Sequence, residues 1–497
     1  MKTKILHRNL RVAMLAALVC QLPTARVLGT PGDLDPTFDG DGKLTLQVGT
    51  NAFTSDLSKA VFVQPDGKLV LAGDSNGRIA VIRLLSNGAL DPNFGFGGIA
   101  TTTLAEDDFF YVTGAALQSD GKILVVGQVT IATNATFGDV FVARYLTNGA
   151  HDPSFGTGGL MVHDLGFDDS GEGVVVQSDG RIVVAAYRYD FNLNQSLFGA
   201  LRLLTNGALD STFSGDGLAE AVFAGSDLAQ PTALILQADG KIILAGHASF
   251  GISNRLALAR IQTNGTLDAS FGSGGVVTTS LGATNAMAAS VFLQPDGRIV
   301  VTGNASFQFD GWLLAARYTT NGLPDGTFGA GGVVLVADAG GADGLVQPDG
   351  RILIAGTSSN DFGLFRLNAD GSLDSGFGMG GRVQTTFSPG ADGASALALQ
   401  ADGRVVVTGP AFINSSIVIA VARYLGDEPA PPTPVLAIMR GAPQQVTISW
   451  TPATPGFVLQ ERTNLTLGPW TNSPSGATNP VTVPATLPAK FYRLFKP

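Results

Sequence analysis

One short motif, Gln-x-Asp-Gly-[Lys/Arg], begins at Gln64, Gln118, Gln177, Gln237, Gln294, Gln347 and Gln400, and nothing else in the 497-residue chain limits its fold so tightly. The seven copies are spaced 54, 59, 60, 57, 53 and 53 residues apart. A fixed period of this length marks a repeat architecture and has to be settled before any local structure is assigned. Each copy continues into an apolar run, as in "QPDGKLVLAG" and "QADGKIILAG", then a variable segment, then an apolar strand carrying an arginine. A turn such as "TNG" follows, and then Leu-Asp-x-x-Phe-Gly-x-Gly-Gly or a close variant, as in "LDPNFGFGG" from Leu90.

Each unit therefore reads as four short strands. Strand a ends at the Gln, and the x-Asp-Gly after it suits a type I turn closed by a left-handed glycine. Strand b is the Val/Ile/Leu run, strand c carries the arginine, and strand d is expected to carry Leu-Asp-x-x-Phe. Four-stranded units repeated radially are the blades of a β-propeller. A stacked solenoid would need capping repeats, and none is visible. The ends of the array decide the closure. The first unit has only its last piece, "LDPTFDGDGK" from Leu34, and the last unit stops after "VARYLG" at Gly426. The orphan first strand completes the orphan last three, so no sheet edge is left open. The expectation is an all-β chain: a seven-bladed propeller over residues 30–426, closed by the N-terminal strand.

The units resemble the delta-60 repeat of large exported bacterial proteins and are similar in layout to NHL-type propeller repeats. The resemblance rests on Gln-x-Asp-Gly-[Lys/Arg], the strand-c arginine and Leu-Asp-x-x-Phe-Gly-x-Gly-Gly across residues 31–426. It implies a β-propeller, with strand a at the central channel and strand d outermost, and supplies no shared catalytic residue.

The flanking segments read differently. Residues 1–29 combine a cationic start, "MKTKILHRNLR", with an apolar run too short to span a bilayer, the pattern of a cleaved signal peptide. Its removal takes away five Lys/Arg and the only cysteine, Cys20. The mature chain is then expected to be exported, secreted or at the cell surface, with no transmembrane segment, no thiol chemistry, and a monomeric state. "GDEPAPPTP" reads as a Pro-rich linker across 427–434. Residues 435–497 alternate apolar and polar positions and suggest a small β-sandwich with Trp450 and Trp470 in its core; they resemble fibronectin type III-like or immunoglobulin-like modules.

The repeated polar residues invite a functional reading, and their number argues against it. The strand-c arginines Arg83, Arg144, Arg202, Arg260, Arg317 and Arg366 precede Asp91, Asp152, Asp210, Asp268, Asp325 and Asp374 by eight residues, and Arg423 would meet Asp35 across the closure. Seven copies suit an arginine–carboxylate staple in every blade better than seven active sites. The motif aspartates from Asp66 to Asp402 are explained as turn residues. Calcium is the one cofactor left open, since "DGDGK" at Asp39 is acidic but lacks the ligand order of a calcium loop. A formal charge of −10 without a basic cluster excludes a general nucleic-acid binder.

No zinc-protease, nucleophile-elbow or phosphate-loop motif occurs. The expected function is a non-enzymatic binding or scaffold module contacting a carbohydrate or protein. The alternative is a propeller hydrolase or lyase using loop acids such as Glu106, Asp107, Asp108, Asp168, Asp169 and Glu172. The a–b and c–d turns are expected to be tight and to share one face. The b–c and d–a connections should form the variable, loop-rich face, where binding usually resides. The contact residues expected there are Phe109, Phe110, Tyr111, Tyr187, Tyr189, Phe191, His247, Phe307, Phe309 and Trp312, with Phe250 beside them.

Overall fold

A computed structural model describes residues 29–427 apart from 50–53, 106, 132–136, 167, 192–194, 308 and 309. It also describes 435–495 apart from 441–444, 452–456, 464–468, 476 and 485–489. The signal-peptide reading, most of the linker, Glu106 and Phe309 lie outside the described residues. Every regular element among the described residues is a strand, so no helix there is long and apolar enough to cross a membrane.

Seven four-stranded antiparallel sheets make the blades. Blade 1 is Asp56–Val63, Leu69–Ser75, Arg78–Leu84 and Ile99–Thr102. Blade 2 is Phe109–Leu117, Ile123–Thr130, Asp139–Tyr145 and Leu160–His163. Blade 3 is Asp168–Val176, Ile182–Asp190, Gln195–Leu203 and Leu218–Ala221. Blade 4 is Leu228–Leu236, Ile242–Phe250, Ser253–Ile261 and Val276–Thr279. Blade 5 is Asn285–Leu293, Ile299–Phe307, Asp310–Tyr318 and Val333–Ala337. Blade 6 is Ala339–Val346, Ile352–Ser358, Asp361–Leu367 and Arg382–Thr385. Blade 7 takes Ala396–Leu399, Val405–Ile413 and Ser416–Tyr424 from the end of the array, and its outer strand, Lys43–Leu46, from the start. The closing pairs run from Lys43↔Ala422 to Leu46↔Ile419.

Strand a of each blade touches strand a of both neighbours, so the seven inner strands surround a channel. Strands b and c are apolar on both faces because each blade is covered by a blade on either side. Seven buried clusters follow, one between each adjacent pair. Between blades 1 and 2 lie Val70, Val81, Phe94, Phe110, Val125 and Phe141, and the ring closes on Leu71, Ile82, Val406 and Val421 between blades 7 and 1.

Two expectations about the connections are corrected. Leu-Asp-x-x-Phe is not strand d: Leu90 makes a single bridge to Leu84, residues 91–98 form a turn, and strand d begins after the double glycine at Ile99. The turn is compact because Gly95, at φ +52°, sits where a Cβ would meet the Ile99 carbonyl oxygen at 2.2 Å. The long connections, such as 85–98, therefore join c to d and are the ones that repeat. In blades 1, 4, 6 and 7 the b–c connections are instead two-residue turns, at Asn76 and Gly77, Gly251 and Ile252, Ser359 and Asn360, and Asn414 and Ser415, whereas in blade 2 strand b ends at Thr130 and strand c begins only at Asp139. The aromatic and polar residues read as b–c loops are mostly the ends of strands.

The tail has two three-stranded sheets: Val435–Arg440, Gln445–Thr451 and Val481–Pro484 in one, and Thr471–Asn472, Val458–Arg462 and Phe491–Phe495 in the other. Ile448, Trp450, Leu459 and Val483 are its buried core. Trp470 is half-exposed rather than core, with the guanidiniums of Arg462 and Arg493 5.0 and 4.7 Å from its ring.

Candidate functional site

The repeated polar residues form one network per blade. Nε of Arg83, Arg144, Arg202 and Arg260 donates to Asp91, Asp152, Asp210 and Asp268 at 2.8 Å. Arg317 and Arg366 reach Asp325 and Asp374 at 2.7 Å, and Arg423 reaches Asp35 at 2.8 Å across the closure. Each guanidinium lies over the Phe of the same turn segment, 4.4 Å from the ring for Arg202–Phe213 and 4.9 Å for Arg423–Phe38. Nη1 then crosses to the next blade, from Arg83 to the Thr147 carbonyl, from Arg144 to Thr205, and around to Ser86 from Arg423. Arg366 takes the Asp427 carboxylate at 2.7 Å in place of a carbonyl, where the chain leaves the ring.

The basic residue of the motif completes the set. Lys68 bridges Asp66 at 3.1 Å and Asp91 at 3.3 Å, and Arg181 bridges Asp179 and Asp210 in the same way. The three motif pieces are thus a single latch. All seven latch aspartates are held below the ordinary carboxylate range. For Asp91 and Asp325 the largest cause is a hydrogen bond, from the Asn93 N–H and the Thr327 hydroxyl. For Asp35, Asp152, Asp210, Asp268 and Asp374 burial pushes upward, and hydrogen bonds with the neighbouring guanidinium outweigh it.

The other end of the channel breaks the repeat. In blades 1–6 strand a carries a one-residue bulge opposite strand b, as between Ser58 and Ala60 and between Gly171 and Gly173. A bulge leaves one residue unpaired and re-aims its side chain. That residue is Lys59, Thr113, Glu172, Thr232, Ala289 or Ala342, always five before the motif Gln, and Ser395 holds the place in blade 7. All but Glu172 line a channel cavity of about 730 Å³. Thr113 and Thr232 spend their hydroxyls on the Gly171 and Ala288 carbonyls of the next blade. Lys59 and Glu172 reach side chains rather than carbonyls of the next blade, Tyr111 and Gln230.

Two further columns lie beside the bulge, paired across strands a and b. They read Leu57↔Asp74, Tyr111↔Gln128, Ser170↔Tyr187, Gln230↔His247, Met287↔Asn304 and Gly340↔Thr357. In these columns the charged and phenolic groups come from blades 1–3, and blade 6 adds the carboxyl of Asp343 to the cavity lining just after its bulge. Lys59 Nζ stands 3.5 Å from the Tyr111 hydroxyl and 5.2 Å from its ring centre. Glu172 accepts from the Ser170 hydroxyl and, at 3.1 Å, from the Gln230 amide. Burial pushes Glu172 up, against those bonds and the field of Lys59. Burial likewise lifts Asp74 to about 6, against the Val112 N–H and Lys59 and with help from Asp56. Tyr187 is pushed up to about 12 by burial, then by Asp168, Glu172 and Tyr189.

The expected contact residues divide. Tyr111 and Tyr187 join this channel group. Tyr189 packs edge-on against Phe191 at 4.6 Å, and Phe191, 53% exposed, stacks on Phe137 at 5.2 Å. Phe109 lies against the blade 1 turn, where a Cβ on Gly77 would come within 2.3 Å of its ring. Phe110 is fully buried against Phe141 and leaves the contact set, because strand alternation turns it into the core between its exposed neighbours. Phe307 and Trp312 pair at 6.1 Å on blade 5 and pack against its core. His247 is paired with Gln230, and burial lowers its basicity. Lys59, Asp74 and Gln230 were not expected; their signal is a fixed offset from each motif Gln.

Among the described residues, ligand atoms of Asp139, Asp164 and Asp169 lie within 4.8 Å of one another. Backbone N–H groups of Gly166 and Leu165 bind Asp164 and Asp169, and such acidic groups are common without an ion.

Comparison with known proteins supports the architecture. Seven segments, 64–94, 118–155, 177–213, 237–271, 294–328, 347–377 and 400–427, match the model of a domain of unknown function, the DUF5122 β-propeller. The chain is accordingly a β-propeller repeat protein. No curated protein matches it. Among solved structures it is similar to the polysaccharide lyase Uly1, at 10% identity over 74% of this chain and 89% of that one, with a TM-score of 0.42. It is also similar to a Xanthomonas campestris gluconolactonase, XC5397, at 15% identity over 62% and 92%, TM-score 0.31. A Penicillium chrysogenum α-L-arabinanase gives 11% identity over 63% and 92%, TM-score 0.38. At these values the likenesses carry no argument about activity.

Proposed function

We propose that this propeller is an exported, monomeric, non-enzymatic binding module that holds a carbohydrate at the non-repeating mouth of its channel. The observation that supports this most is the convergence of Lys59, Tyr111, Glu172, Tyr187 and Gln230 on one side of the ring. Phenol rings present flat apolar faces with a polar tip, and amide, ammonium and carboxyl groups meet hydroxyls. The exposed pair Phe137 and Phe191 extends the apolar surface along blades 2 and 3. A latch built on the same Arg–Asp pair in every blade accounts for the repeated arginines and aspartates without a ligand.

The test is binding of the purified residue 30–497 protein to a panel of glycans and cell-wall fractions, with reducing ends assayed in parallel. Retention without new ends is the expected result, and Tyr187→Ala should weaken it. Binding only to a protein partner would move the reading to protein recognition. A second reading, a hydrolase or lyase, draws support from Glu172, a carboxyl biased towards its protonated form beside Tyr187. Release of sugar ends, lost in Glu172→Gln, would select it.

A further inference from the structure

We infer that the channel mouth recognises a saccharide residue carrying a single anionic group, with the Lys59 ammonium taking the charge; this rests on the carbohydrate reading above. Lys59 occupies a bulge where the other blades carry Thr, Glu, Ala or Ser, and Ala289 and Ala342 show that the fold needs no charge there. Of the residues lining the channel cavity, Lys59 is the one cation. Every lysine or arginine that follows the motif Asp-Gly is ion-paired, from Lys68 through Arg404. Among the described residues Lys59 has no carboxylate within 4.0 Å, and its nearest polar contact is the Tyr111 hydroxyl at 3.5 Å. A half-buried ammonium left so has no anionic partner, which an arriving anion would supply.

The nearby acids are committed elsewhere. Asp74 accepts from the Val112 N–H at 3.3 Å, and Glu172 from Ser170 and Gln230. They act on Lys59 through the field alone, and they set an upper limit on the ligand. With Asp74, Glu172 and Asp168 around the mouth and a chain charge of −10, a polyanion is repelled and one isolated charge is accommodated. Tyr111, 44% exposed and beside Lys59, offers a face for the ring that bears that charge. A carboxylate and a sulfate ester share this chemistry, so the experiment separates them.

The full residue 30–497 protein is titrated calorimetrically at pH 7.5 with three disaccharides. One joins glucuronate to a neutral sugar, one has glucose in place of the glucuronate, and one is the 6-sulfate of the neutral compound. The expected result is about tenfold tighter binding of an anionic disaccharide than of its neutral counterpart, weakened by salt. Lys59→Met should abolish that difference with thermal stability unchanged, and Lys59→Arg should retain most of it. Equal affinity for charged and neutral compounds, or a preference that survives Lys59→Met, overturns the inference while leaving carbohydrate binding intact. Binding of none of the three overturns both.

Discussion

The two ends of the channel use the same kinds of side chain in opposite ways. At the end formed by the motif turns, seven latch aspartates are all held below the usual carboxylate range by hydrogen bonds and arginines. At the other end, Asp74 and Glu172 are both pushed up by burial that nothing nearby fully offsets. The first set is arranged so that ionisation favours the fold. The second keeps carboxyls where ionisation is costly, the kind of arrangement that accompanies ligand sites more often than scaffolds. Repetition and stability go together in one place; singularity and cost go together in the other.

The sharpest way to break this comparison is to remove a latch. Arg423 joins Asp35, Thr37 and the Ser86 carbonyl, so it ties the last blade to both ends of the closure. Arg423→Met leaves Asp35, 1% exposed, with the Arg404 guanidinium as its one cation beside the Thr37 hydrogen bonds, and should cost about 3–5 kcal/mol in urea unfolding. A loss below about 1 kcal/mol would mean that the latch is decoration. Acid should act on all seven latches together. Their folded pKa values lie below the unfolded value of about 3.9, so their stabilisation is complete above pH 4 and is lost as pH falls through the lowered values. Each carboxylate adds up to about 1.4 kcal/mol per pH unit there, so thermal midpoints should drop steeply below pH 4. A shallow decline would show that the latches do not act as a set.

How much of this could be read from residues alone follows from the same contrast. The arginine–aspartate spacing, repeated in six units and completed by Arg423 and Asp35, pointed to paired residues because register in a hairpin follows from turn length. The position of strand d did not emerge. Nothing in Leu-Asp-x-x-Phe signals that its Asp and glycines wind into a turn under the arginine, and the short outer strands such as "IATT" look like loop. Tyr187, Tyr189 and Asp190 read as a loop because strand ends beyond the blade core lose their apolar alternation. The channel mouth was harder still. Lys59 and Glu172 belong to blades 1 and 3, and only the narrow radius of the inner strands brings them into one field.

Asp74 tests the mouth by pH, with a sign opposite to the latches. Its folded value of about 6 lies above the unfolded value near 3.9, so the folded state binds more protons between them. Its contribution therefore falls as pH rises from 4 through 6, by on the order of 2–3 kcal/mol, and stays lost above that. Asp74→Asn should flatten this decline and be more stable than the parent at pH 7, as urea curves at several pH values would record. An unchanged pH profile would place Asp74 in water and dissolve the distinction between the two ends.

The smallest effect on stability is expected from Glu172→Gln. The amide oxygen can still accept from Ser170 and Gln230, and a neutral group suits the buried position better than an anion. Unfolding free energy at pH 7 should change by less than about 1 kcal/mol or rise slightly, whereas saccharide binding should change with the altered field at Lys59. Loss of stability comparable to Arg423→Met would mean that Glu172 belongs to the scaffold. Binding altered without loss of stability is what a site carried by non-repeating residues on a repeating frame requires, since Ala fills the same bulge in blades 5 and 6 and Ser395 the equivalent position in blade 7.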